Sequence, residues 1–364
     1  MHNNRLNHNM VVLARESRGL TQAELADAAK TNQAKLGRIE LDIPTEISDK
    51  LIEDLSAALH YPPSLFFEKG DIFHSLAPFN YRKRAAFSAT LRKVTEAKAN
   101  LQRIHIQRLL KSLTVETNIP RFDLIGDFNG SAEAAAQALR QIWKVPRGPI
   151  KNVTKLLESA GIIIINCDFE STLLDAFTIF DGIIQPIIFV NRQITGDRLR
   201  FTLCHEICHI TCHEYQRPEI ESEADRFAAE FLMPAQDIRP FLHNVSLAHV
   251  AELKPGWKCS MGALLYRAKA LGMINENQSH YLWAQMAKAG YKVREPATLD
   301  FPREEPELLD SLINIHLNTL NIKVEDMSKT LNLYPDEFRA IYLKSNNENG
   351  LRTLFTPDKK RFAG

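Results

Sequence analysis

The sequence contains no long apolar run and no recognisable secretion signal. Its longest aliphatic runs, Ile162–Ile165 and Ile187–Val190, are only a few residues long, whereas a membrane-spanning helix needs about 20 apolar residues. Residues 1–20 also lack the apolar stretch and small-residue cleavage site of a signal peptide. We therefore expect a cytoplasmic protein with no membrane segment.

The sequence is also poor in net charge and in cysteine. It has 45 basic and 44 acidic side chains, a net charge of +1, so any basic patch must be local. Its five cysteines are an odd number, which does not fit a disulfide framework and favours a reducing compartment. What it does have is length: 364 residues, 45% apolar and 24% charged, predict roughly two to three globular domains.

Segments of different composition indicate the domain order. Thr21 and Glu24 form a capping box within a run of short helices. Residues 71–111 carry nine basic and two acidic groups, a net +7, and Arg84–Leu113 lacks Pro and Gly, which predicts one long helix. No internal repeat is evident. We predict a helical domain at 1–70, a basic helical linker at 71–117, a mixed domain at 118–290, and a linker with a small helical region at 291–364 for packing or for oligomerisation, for example in a homodimer.

The most informative motif is Cys204-His205-Glu206-Ile207-Cys208-His209. On a helix, His205 and His209 project from one face and can ligate one zinc ion, while Glu206 lies next to that face and can deprotonate a metal-bound water. Apolar residues on the flanks of the motif predict that this helix is buried. The motif therefore predicts a metal site for hydrolysis.

Catalytic zinc needs a third protein ligand, and His213, Glu214, Glu221 and Glu223 are the candidates. The first two lie too far along a straight helix. On the next helix, the apolar face predicts that Glu221 points inward and Glu223 toward solvent. We therefore assign His205, His209 and Glu221 as ligands, with Asp225 placed to accept the second ring N–H of a ligating histidine. Two histidines and one glutamate suit Zn²⁺, and Mn²⁺ as well.

Two other features near the motif have competing interpretations. Cys204, Cys208 and Cys212 form a row rotated about 100° from the histidines, which favours close helix packing over a mixed Cys/His zinc site. Residues 183–191, after a hairpin turn at Asp181-Gly182, are either a core strand or an edge strand that pairs with a substrate backbone.

The chain resembles the ImmA/IrrE family of zinc metallopeptidases over roughly residues 118–285. The resemblance implies an α+β gluzincin-like metallopeptidase domain with Glu221 as a ligand, and a protein substrate that is a repressor-type transcription regulator. The matching segments are Arg147–Ile150, Arg200–Leu203, His205–His209, Glu221–Asp225, Phe227–Pro234 and Ala263–Arg267.

Residues 9–68 resemble the Xre-type helix-turn-helix, which implies an all-α domain in front of the peptidase. The resemblance rests on Leu20–Ala26, Ile39-Glu40 and Pro62–Phe67. The usual turn glycine is replaced within Lys30-Thr31-Asn32, where Asn tolerates a left-handed backbone. On DNA, the residues facing the major groove would be Gln33, Lys35 and Arg38.

The partner of this helix-turn-helix module stays open between DNA and protein. Residues 1–70 carry eight basic and ten acidic groups, a net −2 that is unfavourable for phosphate contact. The basic segment 82–111 either supplies those contacts or forms a solvated linker helix. The module could instead recognise a partner that itself carries a helix-turn-helix.

The sequence thus predicts a multidomain, mainly α protein with two alternative functions. One is a zinc-dependent endopeptidase in which Glu206 acts as the general base. In this case the N-terminal module directs the enzyme to DNA or to a regulator. The other is a DNA-binding regulator whose peptidase-like domain senses a ligand or partner without cutting it.

Overall fold

The computed structural model describes residues 5–69, 89–169, 174–180, 185–214 and 217–343. The start of the predicted basic helix at Arg84 and the turn at Asp181-Gly182 lie outside these residues. None of the described helices combines the length and the apolar character that a membrane span requires.

The N-terminal part is a compact set of short helices: α1 (His8–Ser17), α2 (Gln22–Ala28), α3 (Gln33–Glu40) and α4 (Asp49–Leu59), followed by a 3₁₀ turn at Pro63–Phe67. The predicted capping box is confirmed, because the Glu24 amide donates to Thr21 Oγ1 (3.2 Å) and the Thr21 amide donates to Glu24 Oε2 (2.7 Å). The box satisfies two amides at the start of α2 that have no partner within the helix.

The turn between α2 and α3 differs from the prediction in one residue. Lys30, not Asn32, takes the left-handed conformation (φ 52°). Asn32 is extended (φ −112°), and its side chain caps α3 by accepting from the Lys35 amide at 2.8 Å. A second left-handed residue, Asp42 (φ 55°), follows α3.

The basic helix α5 (Ala89–Leu109) is not a solvated linker. Twelve of its 21 residues are buried, among them Arg103 and His105. One face packs on α1, and Ala97, Leu101 and Ile104 belong to the same apolar core as the N-terminal helices. The composition of the basic segment left a solvated helix possible, because its many cations are more evident in the sequence than its apolar face.

The middle of the chain is a mostly helical domain built around a small sheet, as predicted. Its helices share one apolar core. The elements are α6 (Ala132–Ile142), α7 (Val153–Ser159), β1 (Ile163–Cys167), β2 (Ala176–Ile179), β3 (Ile187–Asn191), α8 (Gly196–Cys212), α9 (Ile220–Leu232), α10 (Ala235–Ile238), α11 (Leu247–Trp257), α12 (Met261–Ala270) and α13 (Glu276–Lys288).

The sheet has the order β1-β3-β2. β1 pairs parallel with β3, with Ile164 opposite Ile188, and β2 pairs antiparallel with β3, with Phe177 opposite Phe189. The interpretation of residues 183–191 as a substrate-pairing edge strand is therefore wrong, because β3 has a neighbour on each side. Among the described strands, β2 is the edge that lies next to α8.

The C-terminal helices complete the N-terminal core. They are α14 (Leu308–Asn314), which continues as one π-helical turn (Ile315–Thr319), α15 (Val324–Thr330) and α16 (Pro335–Tyr342). Leu331, Phe338 and Tyr342 are buried in the same cluster as residues of α1 to α5. Arg18 pairs with Glu337 (2.7 Å), and His105 Nδ1 lies 2.7 Å from the Tyr342 hydroxyl. The tail is thus a packing element of the N-terminal part.

The α15–α16 pair repeats the geometry of the α2–α3 pair, although the sequence shows no repeat. Each pair joins a seven-residue helix to an eight-residue helix. In both turns the second residue is left-handed, Lys30 at φ 52° and Asn332 at φ 54°. In both, the third turn residue donates its amide back to the first helix at 2.9 Å. A second helix-turn-helix shape therefore packs on the first part of the chain.

Candidate metal centre

Helix α8 presents two histidines from one face, one turn apart. The Nε2 atoms of His205 and His209 lie 3.1 Å from each other. The opposite face of α8 is fixed in the core by Leu203 and Ile207, which are fully buried. The helix can therefore hold both imidazoles in one place with little freedom.

Helix α9 brings a carboxylate to the same point. Glu221 Oε2 lies 3.4 Å from His205 Nε2, and Glu221 Oε1 lies 3.8 Å from His209 Nε2. One donor atom from each of the three residues falls within 4.8 Å of the other two. Two ligands at tetrahedral angles on one zinc ion lie about 3.3 Å apart. The separations of the three donor atoms are those of a group that could hold one metal ion.

The two histidines differ in their surroundings. His205 Nδ1 lies 2.9 Å from Asp225 Oδ1, the residue predicted for that contact. Burial alone would lower the pKa of His205, but its contacts with Asp225 and Glu221 and the charge of Glu206 raise it to about 10. Burial and the two neighbouring imidazoles hold the pKa of His209 well below its usual value. The carboxylates therefore favour a cation at this point, whether a proton or a metal ion.

Glu206 is held by the edge strand of the sheet. Thr178 on β2 donates its hydroxyl to Glu206 Oε2 at 2.6 Å. Thr178 is buried, so water competes less for this hydrogen bond than it would at the surface. Sequence patterns do not single out Thr178, since a single threonine in a strand carries no motif.

Glu223 is buried rather than directed toward solvent, which corrects the prediction. Its carboxylate lies 3.1 Å from His213 Nε2 and accepts two contacts from Arg217 at 2.9 Å. The apolar face of α9 alone predicts an outward Glu223, whereas His213 and Arg217, after α8, cover that side of α9. His213 Nδ1 in turn lies 2.8 Å from His209 Nδ1, away from the donor atoms of the site.

The remaining candidates do not join the site. Glu214 is exposed. Cys204, Cys208 and Cys212 are buried free thiols in the core of the middle domain. Burial raises the pKa of Cys204 and of Cys208, which keeps both as neutral, closely packed side chains. Among the described residues, the only group of three or more His, Cys, Asp or Glu side chains with metal-binding geometry is His205, His209 and Glu221.

The helix-turn-helix presents part of the surface that the sequence predicted. Gln33 and Arg38 on α3 are exposed, and Lys35 is half-buried. Arg38 donates to the Pro44 carbonyl at 3.0 Å, which fixes its side chain. Two cations of α5 are not available to a DNA phosphate, because Arg103 is buried and Arg108 pairs with Glu68.

Fold and site define a helix-turn-helix domain joined to an α+β domain of metallopeptidase type. Comparison with known families agrees. Residues 157–269 match the Peptidase_M78 model, described as the IrrE N-terminal-like domain, and residues 13–66 match a helix-turn-helix model. The chain thus carries an IrrE-like peptidase domain and an N-terminal helix-turn-helix domain. No curated protein matches the chain.

Proposed function

We propose that the protein is a zinc-dependent endopeptidase that cleaves a repressor-type transcription regulator. The observation that carries this proposal is the meeting of three donor atoms from His205, His209 and Glu221 beside Glu206. The match of this region to a peptidase family supports it. Manganese is the alternative metal, because the same donors suit both ions.

Each residue has a defined role in the proposed reaction. Zinc, when bound, polarises the scissile carbonyl and makes water more acidic. Glu206 takes the proton from the water and passes it to the leaving amine. Thr178 orients the Glu206 carboxylate through its hydrogen bond. In this proposal the extended substrate pairs with the side of β2 that has no strand partner among the described residues, since its other side is occupied by β3.

The test compares wild type with Glu206→Gln, each loaded with zinc and incubated with candidate repressors. Glu214→Gln is the matched control, because Glu214 is an exposed glutamate just after the helix that carries Glu206. Fragments from wild type and the control, but not from Glu206→Gln, support the proposal. Cleavage by all three proteins, or by none across all candidates, contradicts it.

The helix-turn-helix supports the second candidate, a DNA-binding regulator that senses without cutting. The exposed Gln33 and Arg38 are the specific observation in its favour. Gel shifts should use the full chain, because α5 and the C-terminal helices share a core with α1 to α4. Salt-sensitive DNA binding together with absent cleavage would favour this candidate. Binding to a helix-turn-helix protein instead of DNA would identify the module as a protein-recognition unit.

A further inference from the structure

Outside the three donor residues, a chain of polar side chains leads away from the second nitrogen of His209. His209 Nδ1 lies 2.8 Å from His213 Nδ1, and His213 Nε2 lies 3.1 Å from Glu223 Oε2. Arg217 closes the chain with two contacts of 2.9 Å to the Glu223 carboxylate. We call these three residues, His213, Glu223 and Arg217, the inner chain.

The positions of the protons along the inner chain follow from the chemistry of imidazole. A histidine that binds a metal through Nε2 carries its proton on Nδ1. His209 must then donate to His213, and His213 must accept on Nδ1 and carry its own proton on Nε2. That proton is donated to Glu223, which as a carboxylate only accepts. Each contact therefore has only one possible donor. This arrangement leaves His209 Nε2 without a proton and available as a metal ligand.

His213 and Glu223 of the inner chain are buried, in contrast to the partner of the other histidine. The side chains of His213 and Glu223 are 5% and 6% exposed, whereas that of Asp225, which contacts His205, is 63% exposed. Water competes with the Asp225 contact and reaches the inner chain far less. Arg217 supplies the opposite charge that a buried carboxylate requires. The partners of His209 Nδ1 are thus better shielded from water than the partner of His205 Nδ1.

We propose that His213 and Glu223 are positioning residues that fix the ring orientation and tautomer of His209 for metal binding. This inference rests on the proposed metallopeptidase function. Partners of metal-bound histidines typically change metal affinity by about 10- to 100-fold when they are removed. An imidazole placed between histidine and carboxylate extends the same effect by one residue, into the interior of the domain.

The test measures the zinc dissociation constant of the full chain by competition with a chromophoric chelator. His213→Phe keeps a ring but removes the acceptor, and it should weaken zinc binding by about 10- to 100-fold. His213→Asn keeps an acceptor near the position of Nδ1 and should recover most of the affinity. His280→Phe makes the same change at an exposed histidine on α13 (75% exposed) and should leave the affinity unchanged.

A second measurement detects the predicted tautomers directly. Nitrogen-15 spectra of the zinc-loaded protein should show His209 protonated on Nδ1 and His213 protonated on Nε2. If His213 served only in packing, it would not select one tautomer of His209. Circular dichroism of the metal-free variants checks that each one folds, and His213→Asn remains informative if His213→Phe does not.

The outcomes separate this inference from the function on which it rests. Wild type that binds no zinc overturns the proposed function and, with it, this inference. Wild type that binds zinc as tightly as His213→Phe overturns only the role of the inner chain. The reverse tautomer, with His213 protonated on Nδ1, overturns the role as well.

Discussion

The buried ion pair between Arg200 and Glu304 provides the most direct test of how the chain is held together. Arg200 lies on α8 and is fully buried, and it donates to Glu304 and to the Ile150 carbonyl (2.7 Å). Glu304 also accepts from the Val153 and Thr154 amides at 2.8 and 3.0 Å. One carboxylate thus joins α8, the start of α7 and the segment after α13.

Glu304→Ala should destabilise the middle domain by about 3–5 kcal/mol, because it leaves the Arg200 charge buried without a counterion. The two amides also lose their acceptor, which acts in the same direction. Replacing both partners by apolar residues, as Arg200→Met with Glu304→Leu, should cost less than Glu304→Ala alone. The pair is then a constraint on structure more than a source of stability.

Urea unfolding followed by tryptophan fluorescence measures this effect locally. All three tryptophans of the chain (Trp143, Trp257 and Trp283) lie in the middle domain. Glu305→Ala is the control, because this neighbour is 57% exposed and its loss should cost less than about 1 kcal/mol. Equal losses for Glu304→Ala and Glu305→Ala would refute the reasoning.

Three further predictions concern the site, the N-terminal core and DNA. Thr178→Val removes the donor to Glu206; it should slow cleavage about 10- to 100-fold in a timed assay and leave the zinc affinity unchanged. Burial lowers the pKa of His105 to about 3, so the unfolded chain binds the proton first as pH falls below about 6.5. Folding stability should therefore drop between these pH values, and His105→Asn should remove roughly 4 kcal/mol of that drop in urea titrations at several pH values; an unchanged pH profile would contradict a buried neutral ring. Gln33→Ala should reduce specific DNA binding by about 1–3 kcal/mol without changing the salt dependence in gel shifts; a changed salt slope would place Gln33 at a phosphate instead.

Local spacing was enough to predict the shared face of His205 and His209 and the inward direction of Glu221. These depend on one helix each, and helical periodicity fixes them. The capping box at Thr21 was predictable for the same reason. Assignments that depend on a second element were less successful. Glu223 is covered by His213 and Arg217, which a helical wheel of α9 does not contain.

Long-range features were not predictable from the chain alone. β3 lies in the centre of the sheet because β1, about twenty residues earlier, pairs on its other side, and periodicity cannot reveal strand order. Likewise, the cations of α5 left open whether it is a solvated helix, while its apolar residues are buried against α1 and in the cluster that they share with the C-terminal helices. The left-handed residue of the turn is Lys30 and not the predicted Asn32, since position in a turn as well as residue type determines the backbone conformation.

The shared core of the N- and C-terminal helices also determines how the chain is connected. Residues of α1 to α5 and of α14 to α16 form one apolar cluster, and the middle domain lies between them in sequence. In terms of topology, the middle domain is an insertion within a single helical body that α1 to α5 and α14 to α16 form together. Cleavage of the backbone between α13 and α14 would therefore release no fragment. Two separately expressed pieces divided at that point should reassociate into one complex.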